Sequence, residues 1–117
     1  METRNETPYI VALTSVSDEA TARQLVRGLV EDRVIACGTI LPHARSIYRW
    51  EGQIAEESEV VVLMKTRRDR WPDLERSVTK RHPYDVPELL ALPVASGMQA
   101  YLDWVTTETG TRREKSS

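Results

Sequence analysis

The side chains in this sequence best suited to chemistry are Cys37, Trp50, Lys65, His82, Tyr84 and Glu88. Imidazole, thiolate and carboxylate all ligate divalent metals, and their softness and geometry decide which metal a set of them holds. The chain has two histidines, one cysteine and three methionines. No pair of them has C-x-x-C, H-x-x-x-H or similar spacing, so the sequence by itself predicts no tight preformed metal site. The remaining types suit a small polar or anionic ligand. Lys65 supplies a cation, His82 a switchable imidazole, and Trp50 and Tyr84 an aromatic wall. Plainer roles stay open for each. Trp and Tyr are enriched at subunit interfaces, Lys65 and Glu88 could form a structural ion pair, and a lone Cys beside Ala36 and Gly38 is commonly a buried small hydrophobe. His82 with Glu88 could do acid–base work, but no nucleophile accompanies them. There is no G-x-S-x-G, no P-loop and no Gly-rich dinucleotide fingerprint.

These residues sit in a chain of 117, the size of one domain, with 40% apolar and 29% charged residues. A net charge of −2 gives no global field toward nucleic acid or membrane. The short basic cluster Arg112, Arg113 and Lys115 reads as a solvated tail. A single cysteine excludes an internal disulfide framework. Residues 1–8 are polar, with acids at Glu2 and Glu6 and no apolar signal core. The longest apolar runs, 9–13 and 60–64, are too short to span a bilayer. The expectation is a cytoplasmic protein with no nucleic-acid or membrane partner. One domain is expected over 9–108, between flexible ends at 1–8 and 109–117.

The periodicities place the candidates on elements. Residues 9–14 read as a strand, apolar on both faces. Ser17 is a plausible helix N-cap, followed by Asp18 and Glu19 at the positive end of the dipole. Ala22, Leu25, Val26, Leu29 and Val30 then recur at helical spacing over about 18–32. From 35 to 50 the chain is strand-like but interrupted at Pro42, where a bulge is expected. Glu51-Gly52-Gln53 reads as a turn and 54–66 as a second long strand, so 39–66 forms a long hairpin with 56–59 at its wet end. A helix should begin near Asp69 or Trp71, with Pro72 in its first turn, and stop before Pro83. Residues 89–94 make a short apolar strand. Ser96 and Gln99 have capping-box spacing, and Met98, Tyr101, Leu102 and Val105 give the stripe of a last helix. The order β-α-β-β-α-β-α is α+β. Its first six elements match the ferredoxin-like arrangement, with an additional C-terminal helix.

That arrangement puts two helices on one face of an antiparallel sheet. Successive side chains of a strand point to opposite faces. Strands 9–13 and 60–64 are apolar at both parities, so the second face is apolar too, and monomers generally avoid such a patch. Burial against copies of the same chain resolves this. The last helix, only about 16 Å long for its roughly 11 residues, could cover only part of it. The hairpin, with Tyr48, Trp50 and Ile54 near its tip, is a natural arm for gripping a neighbour. Ferredoxin-like domains can also bind RNA through sheet aromatics, but the central strands here carry Val and Leu.

Five stretches resemble one known family. Cys37 after Val34-Ile35-Ala36 resembles its A-A-C, and Tyr48-Arg49-Trp50-Glu51-Gly52-Gln53-Ile54 its Y-x-W-E-G-K-I turn. Lys65-Thr66 resembles its K-T. His82-Pro83-Tyr84-Asp85-Val86-Pro87-Glu88-Leu89-Leu90-Ala91-Leu92-Pro93-Val94 resembles its H-P-Y-x-x-P-E signature, and Tyr101-Leu102-Asp103-Trp104-Val105 its Y-L-x-W segment. The chain is thereby identified as a member of the CutA family of divalent-cation-tolerance proteins, over about 9–106. The resemblance implies a cytoplasmic, non-enzymatic, PII-like homotrimer linked to tolerance of copper and other divalent metals. It also implies that Trp50, Lys65, His82, Tyr84 and Glu88 gather at clefts between subunits, with Cys37 nearby. There the alternative reading is a sensor for a small anion, and a further one a structural scaffold. Metal contacts described in the family use a Cys at the end of the first strand, a His before H-P-Y and the Glu of V-P-E. Here those positions are Thr14, Arg81 and Glu88. Only Glu88 carries over, since an Arg stays protonated and cannot ligate. A divalent cation such as Cu2+ would then be weakly bound, by His82 with Glu88 or by surface carboxylates.

Overall fold

The computed structural model describes residues 7–110. The elements are β1 (Tyr9–Val16), α1 (Glu19–Glu31), β2 (Cys37–Trp50), β3 (Gln53–Arg67), α2 (Trp71–Arg81), β4 (Leu89–Pro93) and α3 (Gln99–Glu108), with a 3₁₀ turn at Arg68–Arg70. The sheet order is β2-β3-β1-β4, antiparallel throughout. This is the expected α+β, ferredoxin-like arrangement with one helix added.

The pleat divides the sheet. On one face Ala12 and Val16 of β1 and Val60, Val62 and Met64 of β3 meet Leu25 and Leu29 of α1 and Leu74 and Val78 of α2, all buried in one core. A fully buried Leu or Val side chain stabilises such a core by about 1.5–3 kcal/mol relative to exposure. On the other face lie Val11, Leu13, Val61 and Leu63, half-buried. Helix α3 crosses that face only at its Tyr9 end, where Tyr9, Ala36, Leu102 and Val105 form a second, smaller core. Leu41, Leu90 and Leu92 are paired in register with Val61, Leu13 and Val11, so they share this face. They remain 44%, 53% and 49% exposed.

The β2–β3 hairpin bends where Pro42 was expected to disturb it. The register shifts between Leu41 and Ala44, and His43 takes φ 66°, a left-handed conformation uncommon for a residue with a Cβ. The tip is tighter than the three residues expected, because Gln53 already pairs with Trp50. Glu51 and Gly52 have φ 51° and 78°, the two positive values that a two-residue type I′ turn requires.

Two caps differ from expectation. The N-cap of α1 is Asp18, whose Oδ1 accepts from the Thr21 N–H at 2.8 Å. Ser17 stands one residue too early, and its hydroxyl donates to Asp18 instead. At α3 the Ser96–Gln99 box does not form. Met98 is the N-cap without a side-chain bond, and the Gln99 amide reaches forward to Asp103. Both ends of the domain extend slightly past the expected limits. Thr7 bonds Val94, Pro8 accepts from Arg68, and Thr109 is fully buried under Arg67. The rest of the expected loose ends, 1–6 and 111–117, lies outside the described residues.

Gly38 of β2 lies close under α1. A Cβ there would meet the two γ-methyls of Val26 on α1 at 2.8 and 2.9 Å. Valine on a helix has essentially one rotamer and cannot swing aside. Gly38→Ala is therefore expected to destabilise the domain by about 1–3 kcal/mol. An unchanged urea midpoint in the variant would contradict this packing.

Candidate functional site

His82 follows the last residue of α2, and its backbone N–H closes the helix on the Val78 carbonyl at 2.8 Å. The ring is buried. Its Nδ1 accepts the Tyr84 backbone N–H at 3.1 Å, which leaves the proton on Nε2. That nitrogen then donates to the Ser15 carbonyl at 2.8 Å. His82 thus ties the α2–β4 loop to the end of β1 through both ring nitrogens. Tyr84 stacks obliquely on it, centroids 4.7 Å apart.

Glu88 reaches the same end of β1. The Thr14 hydroxyl donates to the Glu88 carbonyl at 2.6 Å, and the Ser15 hydroxyl approaches the Glu88 carboxylate at 3.4 Å. On the neighbouring strand stands Glu59, read from sequence as part of a wet end but buried at 8% exposure. The Tyr84 hydroxyl is 3.5 Å from its carboxylate. Burial, and then the Glu59 charge, push the Tyr84 phenol above its ordinary value. Tyr48, farther along the hairpin, donates to Glu57 at 2.9 Å, and that bond leads the upward shift of its phenol. Glu59 shares the open face with Val61 and Leu63, but so does the exposed Glu57; what distinguishes Glu59 is the Tyr84 side chain beside it, which no local sequence signal announces.

Lys65 and Cys37 are cross-strand partners at the opposite end of β3. The Lys65–Glu88 ion pair that the sequence left open is not made within the described residues; the Lys65 ammonium donates to the Thr39 hydroxyl at 2.8 Å. Cys37 is half-buried, not fully buried, and its Sγ lies 3.7 Å from the Tyr101 hydroxyl of α3. Tyr101 was read from sequence only as part of a helix stripe. Burial, followed by the bond to Cys37, pushes its phenol up to about 12. Trp50 stands apart from both groups, at the hairpin tip and 65% exposed. The stretch of β3 between the partners of Trp50 and Cys37 is about 40 Å long at roughly 3.3 Å per residue. Within the chain the candidates therefore occupy three places: His82, Tyr84 and Glu88; Lys65 and Cys37; and Trp50.

The donor set of the described residues does not fit a preformed chelate. Among the described residues no group of three or more His, Cys, Asp or Glu side chains could hold a metal ion. Thr14 offers a hydroxyl already used on Glu88, Arg81 pairs with Asp32 at 2.7 Å, and a cation on His82 would have to displace the Tyr84 N–H.

Two outcomes follow from this geometry. His82→Leu leaves the Ser15 carbonyl and the Tyr84 N–H without partners, at a cost of about 1–3 kcal/mol for each group that stays buried; chemical denaturation measures it. A folded-state pKa raised from 10.0 to about 12 for Tyr101 means stability is whole below pH 10 and falls as pH rises toward 12, because the unfolded chain loses that proton first. Tyr101→Phe should lessen the alkaline loss and remove the latest phenolate step in an absorbance titration.

Comparison with known proteins agrees with these features. The family described as CutA1 divalent ion tolerance protein matches residues 10–108. A divalent-cation tolerance protein CutA from Thermus thermophilus is 45% identical over 100 residues, 86% of this chain and 97% of that protein. The chloroplastic protein CutA of Arabidopsis thaliana is 34% identical over 92% of this chain and 59% of its own length. The solved Thermus thermophilus Cut A1 structure superimposes with a TM-score of 0.85 at 44% identity, covering 87% of this chain and 99% of that one. With the H-P-Y-to-V-P-E segment seated at the end of β1 and the fold shared over nearly its whole length, the chain belongs to the CutA1 divalent ion tolerance family.

Proposed function

We propose that the protein is a non-enzymatic homotrimer that serves tolerance of divalent metal ions, copper chiefly, in the cytoplasm, and that any cation it holds is bound weakly. Family membership supports the tolerance role. That no helix among the described residues is long and apolar enough to cross a membrane is consistent with it.

The observation that carries the assembly is the uncovered half of the sheet. Leu41, Leu90 and Leu92 lie exposed beside Leu13, Val61 and Leu63. The hairpin carries Ile47, Trp50 and Ile54 outward at 65–67% exposure. Among the described residues nothing pairs with the outer edges of the sheet, β2 and β4. A head-to-tail contact between unlike surfaces closes into a ring when the rotation permits, and a three-membered ring would bury these leucines and bring the three groups of candidate residues from different copies toward one another. His82 with Glu88 is then where a divalent cation would be sought.

Small-angle scattering at micromolar concentration should give the mass of three 13.4 kDa chains, with a melting temperature that rises with protein concentration. A monomer would overturn the assembly. Native mass spectrometry with a slight excess of Cu(II) should show weak uptake that drops in Glu88→Gln; uptake untouched by that change would remove Glu88 from the reading.

A further inference from the structure

The open face is unlike at its two ends. Along β3 the side chains of Glu57, Glu59, Val61, Leu63, Lys65 and Arg67 alternate onto it, and Glu88 arrives beside Ser15 at the acidic end. At the α3 end, Arg67 is held by Thr109 and Asp69. The Lys65 ammonium donates to Thr39 and has no carboxylate among the described residues within ion-pair distance. Of the acids, Glu57 is exposed and takes the Tyr48 hydroxyl, and Glu88 is exposed. Glu59 is buried, at 8% exposure, and its polar contact among the described residues is the Tyr84 hydroxyl at a long 3.5 Å. A buried carboxylate is costly unless a cation pairs with it, and covering the face with another copy takes Glu59 still farther from water. Glu59 and Lys65 stand about 20 Å apart along β3, at roughly 3.3 Å per residue, so they cannot meet within one chain.

We propose that Lys65 of one copy is the counter-ion of Glu59 in the next, beside the Tyr84 hydroxyl. The inference rests on the ring assembly given above and names the contact that sets its register. A head-to-tail interface places the acidic end of each copy against the cationic end of its neighbour, so one such pair closes with every interface of the ring. The exposed leucines supply apolar area without direction, and the pair supplies the direction. Like ends brought together would oppose Glu59 to Glu59 or Lys65 to Lys65, which charge disfavours. The pair also occupies the cation that a sensor of small anions would need.

The test is sedimentation velocity of the full chain at micromolar concentration, with far-UV circular dichroism to check the fold of each variant. Wild type should sediment as a trimer. Lys65→Glu sets two carboxylates together and should lose the trimer while staying folded. Lys65→Met, which removes the cation without adding a charge, should raise the concentration of half-dissociation roughly tenfold or more. Glu59→Lys in the Lys65→Glu background remakes the pair with its charges exchanged and should return the trimer, whereas Glu57→Lys should not. Glu59→Gln in the same background, the milder change at a buried position, removes the like charge and should recover most of the trimer. A wild-type monomer would overturn the assembly and the pair together. With a trimeric wild type, the pair alone is overturned if neither change at Lys65 weakens the trimer, if neither change at Glu59 recovers it, or if Glu57→Lys recovers it equally.

Discussion

A four-stranded sheet has two faces, and the pair of helices that a β-α-β-β-α-β chain supplies can cover only one of them. Everything else in this protein depends on that constraint. The strands β1 and β3 are central and are apolar at both parities, so the uncovered face cannot be left wet at no cost. Helix α3 is the chain's own partial answer. It seals the Tyr9 end with Leu102 and Val105 and leaves the Leu13, Val61 and Leu90 end to be covered by something else.

The chemistry follows the same division. Where α3 crosses the sheet, it sets the Tyr101 hydroxyl against Cys37, the cross-strand partner of Lys65. Where the face stays open, the α2–β4 loop folds back over the end of β1 and sets His82, Tyr84 and Glu88 beside the buried Glu59. His82 is there a crosslink with both nitrogens occupied. The aromatic and acidic groups around it lie on the rim of an apolar surface, the environment in which Tyr and Trp commonly meet a partner chain.

Much of the fold was legible in the sequence. Helical stripes named α1, α2 and α3, doubly apolar runs named the central strands, and Pro42 and Glu51-Gly52 named the bulge and the turn. The misreadings are local and have local causes. Ser17 and Asp18 are both good caps, and only the path of the backbone decides that the Asp18 carboxylate meets the Thr21 N–H. Ser96 and Gln99 have the right spacing, but Met98 stands at the N-cap position, so the pair is out of phase with the helix start. The candidate site was legible as residue types and, through the family motifs, as positions. Its grouping was not: Trp50 and Lys65 read as neighbours in role, yet one hairpin arm separates them.

The sequence by itself determined the element order, the two-sided apolar character of the central strands and the lack of any metal-ligand spacing, because periodicity and spacing are properties of the chain alone. Tertiary structure alone decided which parity faces the helices, because a pleat assigns a residue to a face only once its strand is paired, and that Glu59 is buried while Glu57, of the same parity, is not, because only the fold brings Tyr84 to Glu59. It also decided that Lys65 answers Thr39 and not Glu88. The register of β3 against β1 places the lysine opposite Val11, several residues from the Thr14 end where Glu88 arrives, and a side chain can pair only with what the register puts within its reach.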